Sequence, residues 1–354
     1  MTDQDLAAQI AAATSPLHII GGGTRCIGPQ IGTPISTEAL TGITHYDPGA
    51  LTIIARAGTK LAEVEAALAA KNQMLPFEPI LPGAALGRSG ASTIGGVVAA
   101  NASGARRISA GACRDLALGL GFIDGLGQLH RAGGRVMKNV TGYDTTRLLV
   151  GSHGTLGLIT EVAFKVLPLP ELTLTLRAEG LDDAAAIAAM SAAFATPHEV
   201  SAAQHISGGS TAIRLEGFAA TLPKRAAALA AILPGFALAE YDWQAARQLQ
   251  GLRPDASQRL WRISVRPSHG AAVGAALRAA GATSIQYDWG GGLIWAIAPA
   301  SVDLRAALTL PGHAQCFTNT HGAFHPEPAP QATLTAALRA KFDPKGLFNQ
   351  GKMD

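Results

Sequence analysis

The spacing of apolar and polar positions predicts a first group of short strands and one helix near the amino terminus. Residues 17–20 and 51–56 are apolar runs of the length typical of buried strands. Apolar residues then recur at helical spacing from Leu61 to Leu68. We therefore expect a small βαβ unit over residues 17–77, closed by a proline-rich turn.

A second group of elements is expected over residues 87–168. A helix follows the small residues before Ile94, and a hairpin joins strands at 116–123 and 128–131. An apolar strand at 156–166 ends where two prolines follow, which indicates a boundary.

From residue 172 onward the predicted elements occur twice in the same order. Strand, helix, two strands and a second helix occupy residues 172–233, and the order repeats over 259–308 with a last strand at 314–317. This order is typical of two split βαβ units. It predicts an antiparallel sheet with helices on one face.

The composition is that of a globular protein long enough for two domains. Of its 354 residues, 48% are hydrophobic and 15% are charged, so a sizeable core can form. A net charge of +3 and an aromatic content of 5% argue against a nucleic-acid partner. No run approaches the roughly 18 apolar residues of a membrane-spanning helix, and the acidic start is unlike a signal peptide.

The three cysteines, Cys26, Cys113 and Cys316, are widely separated and form no Cys-x-x-Cys pair. We therefore expect no metal site in this chain and a reduced, cytoplasmic environment. Contact with a membrane through partner subunits stays open.

Two glycine-rich segments carry the first sign of function. Residues 21–28 follow a predicted strand, and residues 90–104 contain small, uncharged side chains only. Glycine lets backbone N–H groups approach an anion closely. Two such loops suggest one large dinucleotide that is held at two places.

Five segments together resemble the FAD-linked oxidases of the vanillyl-alcohol-oxidase type. They are Gly21–Gly28, Ser92–Gly104, Lys138–Arg147, Gly151–Glu161 and Asp343–Lys352, and they occur in this order. Several ordered motifs are more specific than a single glycine-rich loop. The resemblance implies an FAD-binding domain of the PCMH type and FAD as the cofactor.

Further segments resemble the FAD-binding E subunit of bacterial glycolate oxidase. They are Met74–Pro79, Gly133–Val140, Leu260–Ser264 and Asp288–Gly291. In that family the subunit works with a second FAD subunit and an iron–sulfur subunit. Together they oxidise glycolate, a small 2-hydroxy acid, to glyoxylate and pass electrons to a membrane acceptor.

The resemblance also implies an α+β architecture. Residues 1–170 would form the FAD-binding domain, with subdomains at about 1–85 and 86–170. Residues 171–318 would form an α+β cap of ferredoxin-like units, and residues 319–354 would return to the FAD-binding domain.

The family's motifs assign FAD-binding roles residue by residue. The predicted residues are Gly21, Gly22, Gly23, Thr24, Arg25, Gly28, Ser92, Thr93, Ile94, Gly95, Gly96, Asn101, Gly154, Gly157, Leu158, Ile159 and Asn349. The loop reads Thr24-Arg25-Cys26 where relatives have an attachment histidine, and 79–83 contains no cysteine. We therefore predict non-covalent FAD. Lys138, Asn139, Tyr143 and Asp144 form a polar cluster in which Asp144 or Thr145 would cap a helix.

Two residues are candidates for the chemistry itself. Arg262 could bind the substrate carboxylate, or its stem could pack on Trp261 or Trp289. His321, with His325 nearby, could accept a proton. The chain lacks the metal-linked histidine pattern of related 2-hydroxy-acid dehydrogenases. Two alternatives therefore remain: a stand-alone FAD-dependent D-2-hydroxy-acid dehydrogenase and a non-catalytic scaffold subunit.

Overall fold

The computed structural model describes residues 1–134, 143–319 and 321–353. Its α-helices are α1 (Asp3–Ala12), α2 (Leu61–Ala69), α3 (Ile94–Ala99), α4 (Arg107–Ala110), α5 (Cys113–Leu116), α6 (Thr145–Leu149), α7 (Asp183–Phe194), α8 (Leu222–Ile232), α9 (Trp243–Arg247), α10 (Gly270–Ala279) and α11 (Ala329–Phe342). Short 3₁₀ turns occur at Pro267–His269, Trp289–Gly291 and Leu304–Ala307.

The strands fall into two large sheets and two small ones. They are β1 (Leu17–Ile20), β2 (Thr33–Ser36), β3 (Ile43–Asp47), β4 (Thr52–Arg56), β5 (Gln73–Met74), β6 (Ala117–Ile123), β7 (Leu129–Gly133), β8 (Leu158–Lys165), β9 (Leu167–Pro168), β10 (Leu172–Glu179), β11 (Val200–Ile206), β12 (Ser210–Gly217), β13 (Ala237–Leu238), β14 (Gln258–Val265), β15 (Ser284–Asp288), β16 (Leu293–Pro299) and β17 (Gly312–Cys316). The mixture of helices and mainly antiparallel sheets confirms the α+β class.

The larger sheet confirms the predicted pair of split βαβ units. Its order is β13-β10-β12-β11-β15-β16-β14-β17, and every neighbouring pair is antiparallel. Within each unit the fourth strand lies beside the first, then the third, then the second. The two units join through their second strands, β11 and β15. All eight strands come from residues 172–316, but the exact domain boundaries stay a prediction.

The second large sheet has the order β3-β4-β8-β6-β7 and is also antiparallel. The expectation of a βαβ unit over residues 17–77 is therefore wrong. The strand β1 pairs in parallel with β2, a short polar strand that the hydrophobic pattern does not reveal. The strand β4 is nearly all buried because it lies inside the other sheet, and β5 is only two residues long.

The two large sheets are connected by a shared core and by buried polar contacts. Side chains of Leu260, Leu293 and Trp295 pack with residues of the first 170 positions, whereas their strand neighbours face the opposite core. The guanidinium of Arg214 donates to both carboxylate oxygens of Glu78, at 3.0 and 2.6 Å. The indole N–H of Trp289 donates to the carbonyl of Gly104 at 2.9 Å. These contacts fix the position of the larger sheet over the glycine-rich segments.

Two smaller expectations concern single elements. Asp144 caps α6 by accepting a hydrogen bond from the backbone N–H of Arg147 at 3.0 Å, which confirms that prediction. Lys138 and Asn139 of the same cluster lie outside the described residues.

Within the described part of the chain, no helix combines the length and apolar character that crossing a bilayer requires.

Candidate active site

A cleft, here called the glycine cleft, lies between the loop after β1 and the helix α3. The loop after α6 and the carboxyl-terminal tail close its other sides. The cleft is lined by Ile19, Ile20, Gly21, Gly22, Gly23, Thr24, Arg25, Cys26, Thr37, Thr93, Gly95, Gly96, Ala99, Ala100, His153, Gly154, Gly157, Ile159, Asn349 and Lys352.

The loop after β1 lines this cleft with residues whose backbone N–H groups have no partner in the described part of the chain. The N–H groups of residues 21–26 donate no hydrogen bond to any described residue. Gly23 has a φ of +68°, a conformation that glycine adopts without strain. A Cβ on Gly22 would lie 1.6 Å from the carbonyl oxygen of Ala91, so the two glycine-rich segments touch at their backbones. A run of free backbone donors is one of the features that anion-binding loops share.

The second glycine-rich segment contributes differently. The N–H groups of Ile94 and Gly95 donate to carbonyl oxygens of Thr59 and Ala57 at 2.9 and 2.8 Å. The Gly96 N–H meets the Thr93 hydroxyl at 3.4 Å. These donors are thus already used within the protein. The segment supplies a close wall, since a Cβ on Gly95 would lie 2.7 Å from that of Ala57.

Arg25 connects the two glycine-rich segments. Its guanidinium donates to the Ser92 hydroxyl and to the carbonyl oxygen of Ile80. Its Nε is buried and has no hydrogen-bond partner among the described residues. Burial, and secondly the charge of Arg247, lower the pKa of Arg25 to about 10, so the side chain stays cationic at neutral pH.

The carboxyl-terminal tail closes the cleft through Asn349. Its side-chain oxygen accepts from the Ile19 N–H at 2.9 Å, and its side-chain nitrogen donates to the carbonyl of His153 at 2.7 Å. Lys352 follows, buried in the same wall, and burial lowers its pKa. The tail thus adds one structural amide and one cation to the cleft.

Most of the predicted FAD-binding residues meet at this cleft. Those that line it are Gly21, Gly22, Gly23, Thr24, Arg25, Thr93, Gly95, Gly96, Gly154, Gly157, Ile159 and Asn349. Ile94 and Leu158 instead point into hydrophobic cores, and Gly28 packs beside Phe324 and Lys352. Ser92 lies behind the cleft as the partner of Arg25. Asn101 lines the neighbouring cleft.

A second cleft, here called the arginine cleft, adjoins the first. Both clefts are lined by Arg25, Ala100 and His153. Burial, and then the charges of Lys352 and Arg262, lower the pKa of His153 to about 3, so its imidazole is neutral. Because His153 lines both clefts, a ligand in the glycine cleft would lie close to a molecule bound in the arginine cleft.

One wall of the arginine cleft is a face of the larger sheet. In the register between β14 and β17, Arg262 lies opposite Gln315 and Ser264 lies opposite His313. These four residues line the cleft, whereas Trp261 and Ile263 point into the core on the other face. The sheet therefore presents a polar patch, formed by these four residues, to the arginine cleft.

Two guanidinium groups share one indole ring in this cleft. The Cζ atoms of Arg107 and Arg262 lie 4.6 and 5.2 Å from the ring centroid of Trp289. Neither group has an ion-pair or hydrogen-bond partner among the described residues. Burial, and next the charge of Arg107, lower the pKa of Arg262 to about 10. Within the described part of the chain, Arg107 and Arg262 are therefore cations without a counterion, and such cations can bind a carboxylate.

The sequence left two roles open for Arg262, binding a carboxylate or packing on a tryptophan, and its position in the structure is compatible with both. The side chain contacts Trp289 and also lines the cleft. His321, by contrast, is exposed and lines neither cleft. Sequence reasoning missed Arg107, which belongs to no motif, and His153 and Lys352, which lie within quoted motifs.

Comparison with known proteins agrees with this architecture. The FAD binding domain family matches residues 2–133. Two solved structures of alkyldihydroxyacetonephosphate synthase align over 97% of this chain, with TM-scores of 0.71 and 0.70 at 14% identity. They cover 73% and 74% of those chains. At this identity the likeness concerns the fold alone.

Sequence relatives are more specific. D-lactate dehydrogenase of Archaeoglobus fulgidus is 34% identical over 43% of this chain and 33% of its own length. Glycolate oxidase subunit GlcD of Bacillus subtilis is 47% identical over 27% of this chain and 20% of its own. Glycolate oxidase subunit GlcE of Escherichia coli is 37% identical over 98% of this chain and 94% of its own. The chain therefore belongs to the GlcE family of glycolate oxidase subunits, which are FAD-dependent oxidoreductases.

Proposed function

We propose that this chain is the FAD-binding subunit of a complex that oxidises glycolate to glyoxylate. Electrons would pass to a partner iron–sulfur subunit, and a second FAD subunit would complete the assembly. The proposal draws on the names of the GlcE and GlcD relatives and on the two adjoining clefts. The division at residues 170 and 318 is part of the same proposal.

The glycine cleft fits FAD. A dinucleotide has a diphosphate that needs several donors, and six consecutive residues that line the cleft have backbone N–H groups without partners among the described residues. The unpaired Nε of Arg25 and the ammonium of Lys352 add positive charge. Residues 21–26, Thr93, Gly95, Gly96 and Gly154–Ile159 would hold the cofactor non-covalently. When bound, FAD supplies the two-electron acceptor for the oxidation.

The arginine cleft fits glycolate, the small 2-hydroxy acid. The carboxylate of glycolate would replace the missing counterion of Arg262 and Arg107, and this fixes the orientation of the small molecule beside the cofactor. Tight packing of this acid between Trp289, the sheet face and the cofactor would exclude water.

The observation on which the proposal rests most is that the two clefts adjoin and share Arg25, Ala100 and His153 in their linings. The same adjacency favours one further candidate, a stand-alone FAD-dependent D-2-hydroxy-acid dehydrogenase. The scaffold alternative fits less well, because a scaffold has no use for the six backbone donors and two guanidiniums that have no partner among the described residues.

Anaerobic mixing of the flavin-loaded chain with glycolate separates these functions. Bleaching of the flavin only after the partner subunits are added supports the complex, and bleaching of the chain alone supports the stand-alone enzyme. A preparation that binds no FAD after reconstitution contradicts both. D-lactate serves as the second substrate in the same experiment.

A further inference from the structure

His313 is a titratable side chain on the polar patch that the larger sheet presents to the arginine cleft. It lies directly opposite Ser264, two residue pairs along the ladder from the pair formed by Arg262 and Gln315. The intervening residues Ile263 and Ala314 are fully buried on the other side. Because side chains alternate along strands, His313 and Arg262 point into the same cleft.

The ring of His313 is free to interact with a ligand. It makes no hydrogen bond to any described residue, and it is exposed at the mouth of the arginine cleft. By contrast, His325 Nδ1 lies 3.4 Å from the backbone N–H of Ala314. His321 is exposed but lines neither cleft.

Positive charges surround this ring. Partial withdrawal from water in the cleft, followed by the charges of Arg262, His325 and Arg107, lowers the pKa of His313. The other titratable groups that line the same cleft are Arg25, Arg114 and His153. At neutral pH the imidazole is therefore unprotonated, which is the form that can accept a proton.

We propose that His313 is the proton acceptor for the hydroxyl of the 2-hydroxy acid in the arginine cleft. This inference rests on the proposed function. Diagonal neighbours on adjacent strands have backbones about 7–8 Å apart, and the side chains span less. In a 2-hydroxy acid the carboxylate and the hydroxyl are on adjacent carbons. A carboxylate at Arg262 therefore brings the hydroxyl toward His313.

In the proposed step the 2-hydroxy acid is oxidised and bound FAD, the cofactor of the family, is the oxidant. The hydroxyl proton moves to an imidazole nitrogen of His313, the C2 hydrogen leaves with its electron pair to bound FAD, and the C–O single bond becomes C=O. Products are the 2-oxo acid, reduced cofactor and protonated His313. A bound carboxylate also offsets the charges of Arg262 and Arg107, so acid binding raises the proton affinity of His313.

Two measurements on the flavin-loaded protein test this role. In calorimetric titrations with oxalate near pH 6, repeated in buffers of different ionisation enthalpy, we expect uptake of a fraction of a proton by the wild type. His313→Gln should bind oxalate without this uptake, and His321→Gln is the matched control that should keep it. The flavin content of each variant shows whether it folds.

The second measurement is the rate of flavin reduction by glycolate, made on the chain together with its partner subunits. His313→Gln should lower the limiting rate about 100-fold and remove its dependence on pH, because a general base contributes on the order of 100-fold or more. His321→Gln should leave both unchanged.

The possible results distinguish the role of His313 from the proposed function of the chain. Oxalate binding with unchanged proton uptake in His313→Gln overturns the role of His313 and leaves the proposed function intact. Loss of the uptake in His153→Gln instead would assign the proton to that residue and also overturn the inference. Failure of wild-type protein to bind either acid overturns the acid site itself, and the inference falls with it.

Discussion

The glycine cleft and the arginine cleft differ in whether backbone or side-chain groups form their walls. The glycine cleft is mainly backbone: consecutive N–H groups, glycines in close contact and one structural asparagine. The arginine cleft is mainly side chains, which come from α4, α5, β14 and β17 as well as from loops. Under the proposed function, backbone groups would hold the cofactor and side chains would select the small acid.

The largest expected effect concerns the backbone contact in the glycine cleft. Gly22→Ala should reduce the affinity for FAD at least 100-fold, because its Cβ would lie 1.6 Å from the Ala91 oxygen and must displace the loop. Bound flavin per chain, measured by visible absorbance, checks this. The matched control is Gly49→Ala, where the nearest atom is 3.4 Å away. Full flavin content in Gly22→Ala would mean that this loop does not hold the cofactor.

Next in size is a change that should affect the other cleft alone. Arg262→Met should weaken oxalate binding about 30-fold, because a charge-assisted contact contributes roughly 2 kcal/mol. FAD affinity should stay within about twofold. Arg259→Met on the same strand is the control, since that residue bonds to Asn319 at 3.0 Å and does not line the cleft. Equal loss of both ligands would contradict the separation of the clefts.

The tail contact offers a stability test of the glycine cleft. Asn349→Ala leaves the Ile19 N–H and the His153 carbonyl without partners, so we expect a loss of about 2 kcal/mol in the free energy of unfolding. Urea denaturation measures it. Gln350→Ala, an exposed neighbour, should cost less than about 0.5 kcal/mol. Equal effects of the two changes would remove the role given to Asn349.

The smallest expected effect is a pH dependence. The pKa of His153 is about 3 in the folded chain, against 6.5 for the free side chain. The unfolded chain therefore binds this proton first, and stability falls as pH decreases below about 6.5. We expect His153 to contribute a loss on the order of 1 kcal/mol between pH 6.5 and 5, so the pH dependence of stability should be smaller by this amount in His153→Gln. Urea midpoints at the two pH values decide this, and an identical pH dependence in both proteins would contradict it.

The same comparison explains what the sequence could predict. The glycine cleft was predictable because its main parts lie in contiguous segments, and contiguous glycines reveal a backbone site without knowledge of the fold. The repeated order of elements also predicted the larger sheet, since apolar spacing reports local structure. The unused amides of residues 21–26 and the occupied amides of α3 were not predictable, because hydrogen-bond partners depend on tertiary contacts.

The arginine cleft was predictable only in part. Arg262 stood out through its place between Trp261 and Ile263, but Arg107 follows no pattern and reaches the site only because α4 lies under Trp289. His321 was chosen by its position near the tail, whereas the strand register selects His313. Register between distant strands cannot be derived from local spacing.

Under the proposed function, the glycine cleft holds one FAD per chain without a covalent bond. The direct test is titration of flavin-free protein with FAD, followed by acid precipitation. We predict saturation at one FAD per chain and release of all flavin into the acid supernatant. A protein that stays colourless, or that retains its flavin in the precipitate, would contradict the account.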